Sequence, residues 1–370
     1  EAWAERSFVE RAGYMNRLAE LIDSNVKTIA HIECLDMAML LDSLQERVIP
    51  RAARNFRVYS KMAQDYEERC WESNGTQNRV TRMPAGPAVV VTPWNAPFML
   101  SSWKCAPALA AGNTVILKPA EWSPLSASLL SDFIEEAGFP PGVFNIVQGF
   151  GDEVGAALVN DSRVRRISFT GSTETARYIG SAAAKNIVPF TAELGGKSPL
   201  LVFGDADIDL AARKAAGQFD DSGQVCMAGT RILVEESLKG EFLALLNQYT
   251  DRHVLGDSRD SATTISPLIH PDHLFRVKGY VERALDEGNK VHRGGHIYTE
   301  EGLWYEPTII EPVSNSCEIV QKEVFGPVLA IMRTEEIDHA IKIENSSNYG
   351  NASSVYTQDG KLANYITEKD

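Results

Sequence analysis

Strand-like and helix-like segments alternate between residues 88 and 193, and this alternation constrains the fold more than any other feature of the sequence. The expected strands are short, mostly apolar runs at 88–92, 114–117, 143–147, 166–170 and 188–193. The expected helices lie between them, at 103–111, 124–137, 155–159 and 173–184. Strands and helices in this order, joined by short links, are typical of a parallel, doubly wound α/β sheet, which binds ligands at the carboxyl ends of its strands.

A second α/β unit is predicted after the turn-forming stretch Glu193–Pro199. Its expected strands are 199–203, 231–234 and one that ends near Met332, and its expected helices are 208–218, 238–252, 273–287 and 336–344. Because 370 residues exceed what one hydrophobic core usually serves, we predict two domains, 1–194 and 195–370. Two helices at 7–34 and 48–68 and a projecting hairpin at about 67–86 are expected ahead of the first strand.

Charge and cysteine usage narrow the possible partners and compartments. The net charge of −14 argues against nucleic acid or an anionic membrane as a partner, because both would repel the chain. No apolar run approaches the ~20 residues of a membrane span. The five cysteines are scattered and form no metal-binding spacing, so we expect a reducing, cytoplasmic compartment and no metal.

One cysteine, Cys226, stands between Gly223 and Gly229 in a turn that follows a helix-like run. A partly exposed thiol held near groups that favour its thiolate is a useful nucleophile. Flanking glycines let the backbone bring a substrate close to the sulphur. A buried cysteine that acts as a small hydrophobe is the alternative, and this stretch alone leaves both interpretations open.

Seven motifs, in order along the chain, resemble those of the NAD(P)-dependent aldehyde dehydrogenase superfamily. They are TPWNAPF (92–98), GNTVILKPAE (112–121), GFPPGVFNIVQGFG (138–151), SFTGSTETAR (168–177), ELGGKSP (193–199), GQVCMAG (223–229) and EVFGPV (323–328). The segments ERAGYMNRLAELIDSN and VIPRAARNF make the chain most similar to the semialdehyde dehydrogenases of aromatic breakdown, such as 5-carboxymethyl-2-hydroxymuconate semialdehyde dehydrogenase. The order and the gaps, rather than any single motif, make the resemblance specific.

The resemblance implies an aldehyde dehydrogenase-like fold. It would consist of an NAD-binding domain at 1–194, a catalytic domain at 195–370 and a small hairpin used for oligomer contacts. Family members usually extend beyond both ends of this chain, so we expect an interior portion of an enzyme that is a homodimer or homotetramer at full length. The implied reaction is oxidation of an aldehyde, and a semialdehyde is one candidate substrate. A CoA-acylating relative and a catalytically silent member of the fold are the alternatives.

The resemblance also implies three catalytic residues. Cys226 would attack the aldehyde, and the Asn95 side chain with the Cys226 backbone N–H would stabilise the oxyanion. Glu193 would activate the water that hydrolyses the thioester. Without the family, Asn95 is better interpreted as a turn residue between two prolines, and Glu193 as a solvated carboxylate.

For the cofactor, the resemblance implies NAD rather than NADP. Lys118 and Glu121 would bind the adenosine ribose hydroxyls, and a carboxylate there repels a 2′-phosphate. Ser172 would approach a phosphate, Glu323 would hold the nicotinamide ribose, and Phe325 would flank the ring. If the motif is disregarded, Glu323 is interpreted as a surface carboxylate and Phe325 as an aromatic residue of the core. The other predicted cofactor residues are Thr92, Pro93, Trp94, Gly151, Gly155, Phe169, Thr170, Gly171, Leu194 and Gly195.

An apolar aldehyde pocket is expected from Leu100, Trp103, Phe219, Val225 and Met227. The cation that would grip a substrate carboxylate cannot be assigned from the sequence. Lys104, next to Trp103, is one candidate, but the favoured interpretation is a surface lysine. Cys34, Cys70, Cys105 and Cys317 lack a motif and are interpreted as structural.

Overall fold

A computed structural model describes residues 2–369, which form two compact units. Unit 1 contains the chain up to Met37 and then Leu41–Glu193, and unit 2 contains Ala38–Leu40 and the chain from Leu194 onward. The division falls one residue before the predicted one, and the short segment Ala38–Leu40 departs from the prediction by grouping with unit 2. Among the described residues, no helix has both the length and the apolar character to cross a membrane.

Eight α-helices belong to unit 1. They are α1 Phe8–Ser24, α2 Val26–Met37, α3 Leu41–Ser43, α4 Ile49–Gln64, α5 Pro97–Ala110, α6 Leu125–Glu136, α7 Ala156–Asn160 and α8 Thr173–Asn186. The single helix predicted over 7–34 is wrong, because Asn25 separates α1 from α2. The Asn25 side chain donates to the Leu21 carbonyl oxygen at 2.8 Å, and such local bonds compete with the helical backbone. π-helical turns precede α4, at Leu44–Val48, and α7, at Gly151–Gly155.

The strands of unit 1 form two sheets. β1 (Arg69–Ser73) and β2 (Thr76–Val80) make an exposed antiparallel hairpin. The second sheet contains β3 Pro87–Val91, β4 Thr114–Lys118, β5 Phe144–Ile146, β6 Arg166–Gly171 and β7 Phe190–Leu194, in the order β5-β4-β3-β6-β7. β3 runs parallel to both β4 and β6, and β4 parallel to β5. The chain builds outward from β3 in one direction and then in the other, so the topological switch point lies between β3 and β6.

Unit 2 is a six-stranded sheet flanked by helices. Its strands are β8 Pro199–Val202, β9 Arg231–Glu235, β10 Lys290–Arg293, β11 Thr308–Glu311, β12 Val328–Thr334 and β13 Ser354–Tyr356, in the order β10-β11-β12-β9-β8-β13. Its helices are α9 Ile208–Ala216, α10 Lys239–Thr250, α11 Pro271–Asp286, α12 Glu318–Gln321, α13 Ile337–Glu344 and α14 Gly360–Thr367. The predicted all-parallel sheet needs one correction, because β10 is antiparallel to β11.

Alternate residues of the central strands face two hydrophobic cores. In β9, Leu233 packs on one face of the sheet, and Ile232 and Val234 pack on the other. This period of two fits a sheet that is covered on both sides. Arg231 is buried at the start of β9, where its guanidinium donates to the carbonyl oxygens of Lys197, Ile343 and Glu344. These bonds tie β9 to the loop that precedes β8 and to the end of α13.

Candidate active site

The carboxyl end of β3 carries the predicted oxyanion residue of unit 1. Asn95 lies in the turn between β3 and α5, where Pro93 and Pro97 exclude both a continuing strand and an earlier helix start. Thr92 is buried, and its hydroxyl lies 3.2 Å from that of Ser101. Its side chain is therefore part of the core, and since its backbone N–H donates to the Lys118 carbonyl oxygen at 3.2 Å, its own carbonyl oxygen is the group left for a ligand.

A buried carboxylate supports this turn, and the sequence interpretation missed it. Glu33 on α2 is fully buried and accepts a hydrogen bond from the Phe98 backbone N–H at 3.1 Å, in the first turn of α5. Burial raises the pKa of Glu33 to about 7, although the bond to Phe98 acts in the opposite direction. The helix that follows Asn95 is thus fixed by a group that titrates near neutral pH.

The next strand of the sheet, β4, ends at Lys118, which together with Glu121 was predicted to bind the adenosine ribose hydroxyls. The Lys118 ammonium is buried and lies 3.0 Å from Glu121 Oε2, while the Glu121 side chain remains 40% exposed. Lys118 also donates to the Pro119 carbonyl oxygen at 3.1 Å, so both ends of the pair are fixed. An exposed carboxylate held this way is suited to accept hydrogen bonds from vicinal hydroxyls.

Two glycines in the π-helical turn after β5 leave open space nearby. A Cβ on Gly151 would meet nothing within 4 Å, and one on Gly155 would touch only the aliphatic part of Lys118, at 3.9 Å. Asp152 and Glu153 occupy the first turn of this segment. Because these carboxylates would repel a phosphate, their charge argues against a pyrophosphate at the N-terminus of this segment.

β6 ends in the predicted phosphate loop, Phe169–Ser172. Ser172 caps α8, and its hydroxyl accepts from the Thr175 N–H at 3.1 Å. The Phe169 ring is buried and packs so closely on Gly171 that a Cβ at Gly171 would lie 2.6 Å from the ring. Phe169 therefore shapes the loop from the core side.

Glu193 is exposed near the end of β7, and the charge of its carboxylate acts on a lysine of unit 1, Lys104. Lys104 on α5 donates to the Ser168 hydroxyl at 3.2 Å and is 8% exposed, so the expectation of a surface lysine is wrong. Burial lowers the pKa of Lys104 to about 8, and the charge of Glu193 opposes that shift. A lysine in this state can exchange a proton near neutral pH.

In unit 2, an irregular turn leads to the predicted nucleophile. A 3-10 segment, Gly217–Gly223, follows α9, and Asp221, Ser222 and Gly223 have φ values of 53°, 56° and 66°. The Ser222 hydroxyl donates to the Ser266 carbonyl oxygen, and the Gln224 side chain accepts from the Ile269 N–H at 3.1 Å. Left-handed backbone costs free energy in residues other than glycine, so these long-range bonds hold the turn in place.

Cys226 is half-buried. Burial raises the pKa of its thiol, the Asn351 side chain acts in the opposite direction, and the Glu323 carboxylate raises the pKa further. Met227 is exposed beside it. Phe219 is fully buried in a core of unit 2, so the expectation that it lines the aldehyde pocket is wrong.

The segment Leu194–Lys197 packs closely against this loop. A Cβ on Gly196 would overlap the Cys226 carbonyl oxygen, and one on Gly195 would overlap the Glu323 carboxylate. Glu323 also accepts from the Gly196 N–H at 2.9 Å. No side chain fits at either glycine. Without a Cβ, the backbone of this segment contacts both Glu323 and Cys226, so these two residues lie close together within unit 2.

Phe325 follows in a left-handed conformation, with φ at 59°. The side chain of His273 on α11 lies 2.7 Å from the Phe325 carbonyl oxygen, and burial lowers the pKa of His273 to about 4. A neutral imidazole that donates from Nε2 to a carbonyl fits this geometry. The sequence interpretation singled out Phe325 but missed the histidine that fixes it.

The other four cysteines differ from Cys226 in their surroundings. Cys34, Cys105 and Cys317 are buried, and Cys70 is exposed on the hairpin. Burial raises the pKa of Cys105 far above its usual range, which leaves an inert thiol. Among residues 2–369, no three His, Cys, Asp or Glu side chains gather as a metal ion would require.

Comparison with known proteins agrees with this geometry. A model described as the aldehyde dehydrogenase family matches residues 1–369. Betaine aldehyde dehydrogenase of Cereibacter sphaeroides is 38% identical over 358 residues, which are 96% of this chain and 74% of that protein. The 5-carboxymethyl-2-hydroxymuconate semialdehyde dehydrogenase of Escherichia coli is 37% identical over 366 residues, 96% of this chain and 78% of that protein.

A solved structure of betaine aldehyde dehydrogenase from Staphylococcus aureus in complex with NAD+ superimposes with a TM-score of 0.96. It is 34% identical, and the match covers 99% of this chain and 74% of that one. At this identity and coverage the similarity extends from the fold to the sequence.

Proposed function

Since the chain belongs to the aldehyde dehydrogenase family, we propose that it oxidises an aldehyde to a carboxylic acid through a covalent intermediate on Cys226. The observation that carries the proposal is a half-buried Cys226 on a loop that packs closely against Gly196, next to the segment that contacts Glu323. The buried thiols of Cys34, Cys105 and Cys317 have no comparable access. The thiolate of an accessible cysteine is the nucleophilic form.

In the first step, the Cys226 thiolate attacks the carbonyl carbon and a thiohemiacetal forms. The oxygen becomes an oxyanion, which the Asn95 side-chain amide and the Cys226 backbone N–H stabilise. Neutral donors suit this role, because a cation beside the carbon would oppose the loss of hydride that follows. Asn95 is supported by its place at the carboxyl end of β3, at the switch point of the sheet.

The cofactor that fits unit 1 is NAD, which supplies the hydride acceptor when bound. The exposed Glu121 carboxylate, fixed by Lys118, accepts from ribose hydroxyls and repels a 2′-phosphate. Ser172 lies at the N-terminus of α8, where a phosphate is favoured. In unit 2, Glu323 and Phe325 are the residues for the nicotinamide ribose and ring. The complex of the Staphylococcus aureus relative with NAD+ supports the same choice.

The thioester is then hydrolysed by water that Glu193 activates. Glu193 is exposed near the end of β7, so it can take a proton from water. The charge of Glu193 acts on the pKa of the nearby Lys104. With a pKa of about 8, Lys104 can help return the proton from Glu193 to solvent. Transfer of the acyl group to CoA instead of water is the competing reaction, and it needs no base at Glu193.

We propose a substrate that carries an anionic group in addition to the aldehyde, as a semialdehyde acid does. The exposed Arg51 guanidinium on α4 lies 4.7 Å from the centre of the Trp103 ring, which belongs to the expected aldehyde pocket. An arginine on that ring attracts a carboxylate and covers the face that a quaternary ammonium would use. This favours the chemistry named for the Escherichia coli relative over that of the betaine aldehyde relatives.

Self-association through the β1–β2 hairpin is also proposed. Nearly all of its residues are exposed, including Trp71 at 42%, and an isolated two-stranded hairpin is marginally stable in water. A partner copy would cover it, as in a homodimer or homotetramer. The five cysteines, which are scattered and odd in number, support a reducing compartment such as the cytoplasm.

The test is NADH production by the purified chain with a panel of aliphatic, aromatic, cationic and carboxylate-bearing aldehydes, with and without CoA. We expect acid formation without CoA, loss of all turnover in Cys226→Ala, and a higher kcat/KM for carboxylate-bearing aldehydes that falls in Arg51→Gln. Acyl-CoA as the product would favour the competing reaction. No NADH with any aldehyde, together with an unreactive Cys226, would contradict the proposal.

A further inference from the structure

Lys197 is a buried amine to which the folded chain supplies no partner. The residue is 2% exposed, and among residues 2–369 its Nζ takes part in no hydrogen bond and no ion pair. Lys118 has the same exposure, but its Nζ lies 3.0 Å from Glu121 Oε2 and donates to the Pro119 carbonyl oxygen. Because a buried ammonium needs partners, Lys197 is the one of these two lysines that burial drives toward the neutral amine.

Lys197 lines a cavity of about 310 Å³ within unit 2. The loop that follows α13 forms much of the cavity wall, and it contributes Ser347, Gly350 and Asn351. Gly350 and Asn351 are exposed, so this wall extends to the protein surface. The volume is in the range of sites that bind small molecules. A small solute can therefore enter the cavity from solvent and reach the amine.

The charged groups around Lys197 favour loss of its proton. Arg231 lines the same cavity, and its buried guanidinium opposes a second positive charge. Burial and this repulsion lower the pKa of Lys197 to about 7, while the Glu323 carboxylate acts in the opposite direction. The Glu344 carboxylate also lines the cavity, where it accepts a hydrogen bond from the Ser353 hydroxyl. At neutral pH the cavity thus contains an amine that is largely unprotonated and a carboxyl group that can exchange protons.

We propose that the Lys197 amine is a second carbonyl-reactive group of this chain, which captures small aldehydes reversibly as an imine. A desolvated amine beside another cation is an arrangement that makes lysine nucleophilic. The inference goes beyond the proposed function, because it does not depend on Cys226.

Imine formation at Lys197 needs no oxidant and no cofactor. The Nζ lone pair adds to the carbonyl carbon and gives a carbinolamine. Water then leaves with the carbonyl oxygen and both amine hydrogens, and the C=N bond remains. Glu344, in the wall of the same cavity, is the group that can move a proton from the nitrogen to the departing hydroxyl.

The test is reductive trapping of the full chain with acetaldehyde and cyanoborohydride at pH 7, in the absence of NAD. Cyanoborohydride reduces an imine to a stable secondary amine, so peptide mass spectrometry records which lysines formed one. Lys118, equally buried but paired, is the matched internal control. The exposed Lys185 reports the reaction of a solvated amine. Lys197→Arg removes the amine and keeps a positive charge.

We expect Lys197 to be labelled about tenfold faster than Lys185, since an amine with a pKa of about 7 is largely neutral at this pH. Lys118 should stay unlabelled, and the first addition in the intact mass should disappear in Lys197→Arg. Labelling of Lys197 no faster than that of Lys118, or persistence of the first addition in Lys197→Arg, would overturn the inference. If Lys197→Arg does not fold, the peptide data on the parent decide alone. The same labelling in Cys226→Ala would show that this outcome is separate from the proposed function.

Discussion

The two units hold their predicted site residues in different ways. In unit 1, the predicted residues follow regular strands, as Asn95 follows β3, Lys118 ends β4 and Ser172 follows β6. In unit 2, they lie on irregular loops that contain left-handed residues other than glycine, such as Ser222, and that hydrogen bonds to backbone groups distant in the sequence hold in place.

The two kinds of structure suit different tasks, namely binding a cofactor and positioning a nucleophile. A cofactor presents many atoms, and a rigid sheet edge can place several groups along it without backbone strain. A nucleophile needs one sulphur at one position with donors aimed at it, and only irregular backbone brings N–H groups around a side chain that way. We therefore expect small changes in the loops of unit 2 to affect activity more than equal changes in unit 1.

The largest contrast should come from adding one methyl group in each unit. Gly196→Ala puts a Cβ into the Cys226 carbonyl oxygen, so the backbone must move, and we expect kcat to fall by roughly 100-fold or more. Gly13→Ala, in α1, adds a Cβ that meets only the Arg17 guanidinium at 3.7 Å, and kcat should change less than about twofold. Steady-state NADH production by both variants gives the comparison. Equal losses would remove the distinction between the units.

Unit 1 should lose stability as pH rises, because of Glu33. Its folded pKa of about 7 exceeds the usual 4.5, so the folded state binds the proton more tightly. The stability is fully present below pH 4.5 and is lost as pH rises to 7, by roughly 3 kcal/mol in the free energy of unfolding. In urea unfolding, the free energy of unfolding of the wild type should fall increasingly below that of Glu33→Gln as the pH rises from 4.5 to 7. Glu20→Gln, at an exposed position of α1, is the control that should show no such trend.

Unit 2 should respond in the opposite direction through His273. Its folded pKa of about 4 lies below the usual 6.5, so the unfolded chain binds the proton more readily. The neutral imidazole is stabilising above pH 6.5, and that contribution is lost as pH falls to 4, again by roughly 3 kcal/mol. In His273→Gln the side-chain amide can still donate to Phe325, so urea unfolding should show a weaker dependence over this window. The same acid sensitivity in wild type and variant would argue against a buried neutral His273.

The smallest expected change is in the free energy of unfolding, and it tests whether backbone strain at Ile187 in unit 1 also affects activity. Ile187, 90% exposed, ends α8 with φ at 56°, a conformation that disfavours a β-branched side chain. Ile187→Gly should raise the free energy of unfolding by about 1 kcal/mol and leave kcat unchanged. Lys185→Gly, inside the same helix, should lower it by a similar amount. A loss of activity in Ile187→Gly would show that this strain also serves the site.

The sequence predicted unit 1 better than unit 2 for physical reasons. Every strand of the large sheet in unit 1 was predicted, because buried parallel strands are apolar runs bounded by turns. In unit 2, β10, β11 and β13 were missed. They are only three or four residues long, and β10 and β13 are edge strands with polar residues, so no apolar run marks them.

The candidate site divides in the same way. Motifs pointed to Cys226 and Glu323 because local sequence carries that pattern. Glu33 and His273 were not found, because each contacts a residue at least 52 positions away and only the folded chain brings the two together.

The central claim is that Cys226 forms the covalent intermediate and Glu193 serves only its hydrolysis. Rapid-mixing measurement of NADH formation by Glu193→Gln tests this most directly. We expect about one equivalent of NADH per active chain and then a stall, with the acyl group recovered on the Cys226 peptide, while the wild type continues to turn over and Cys226→Ser yields no NADH. Full turnover by Glu193→Gln, or no NADH from it at all, would contradict the account.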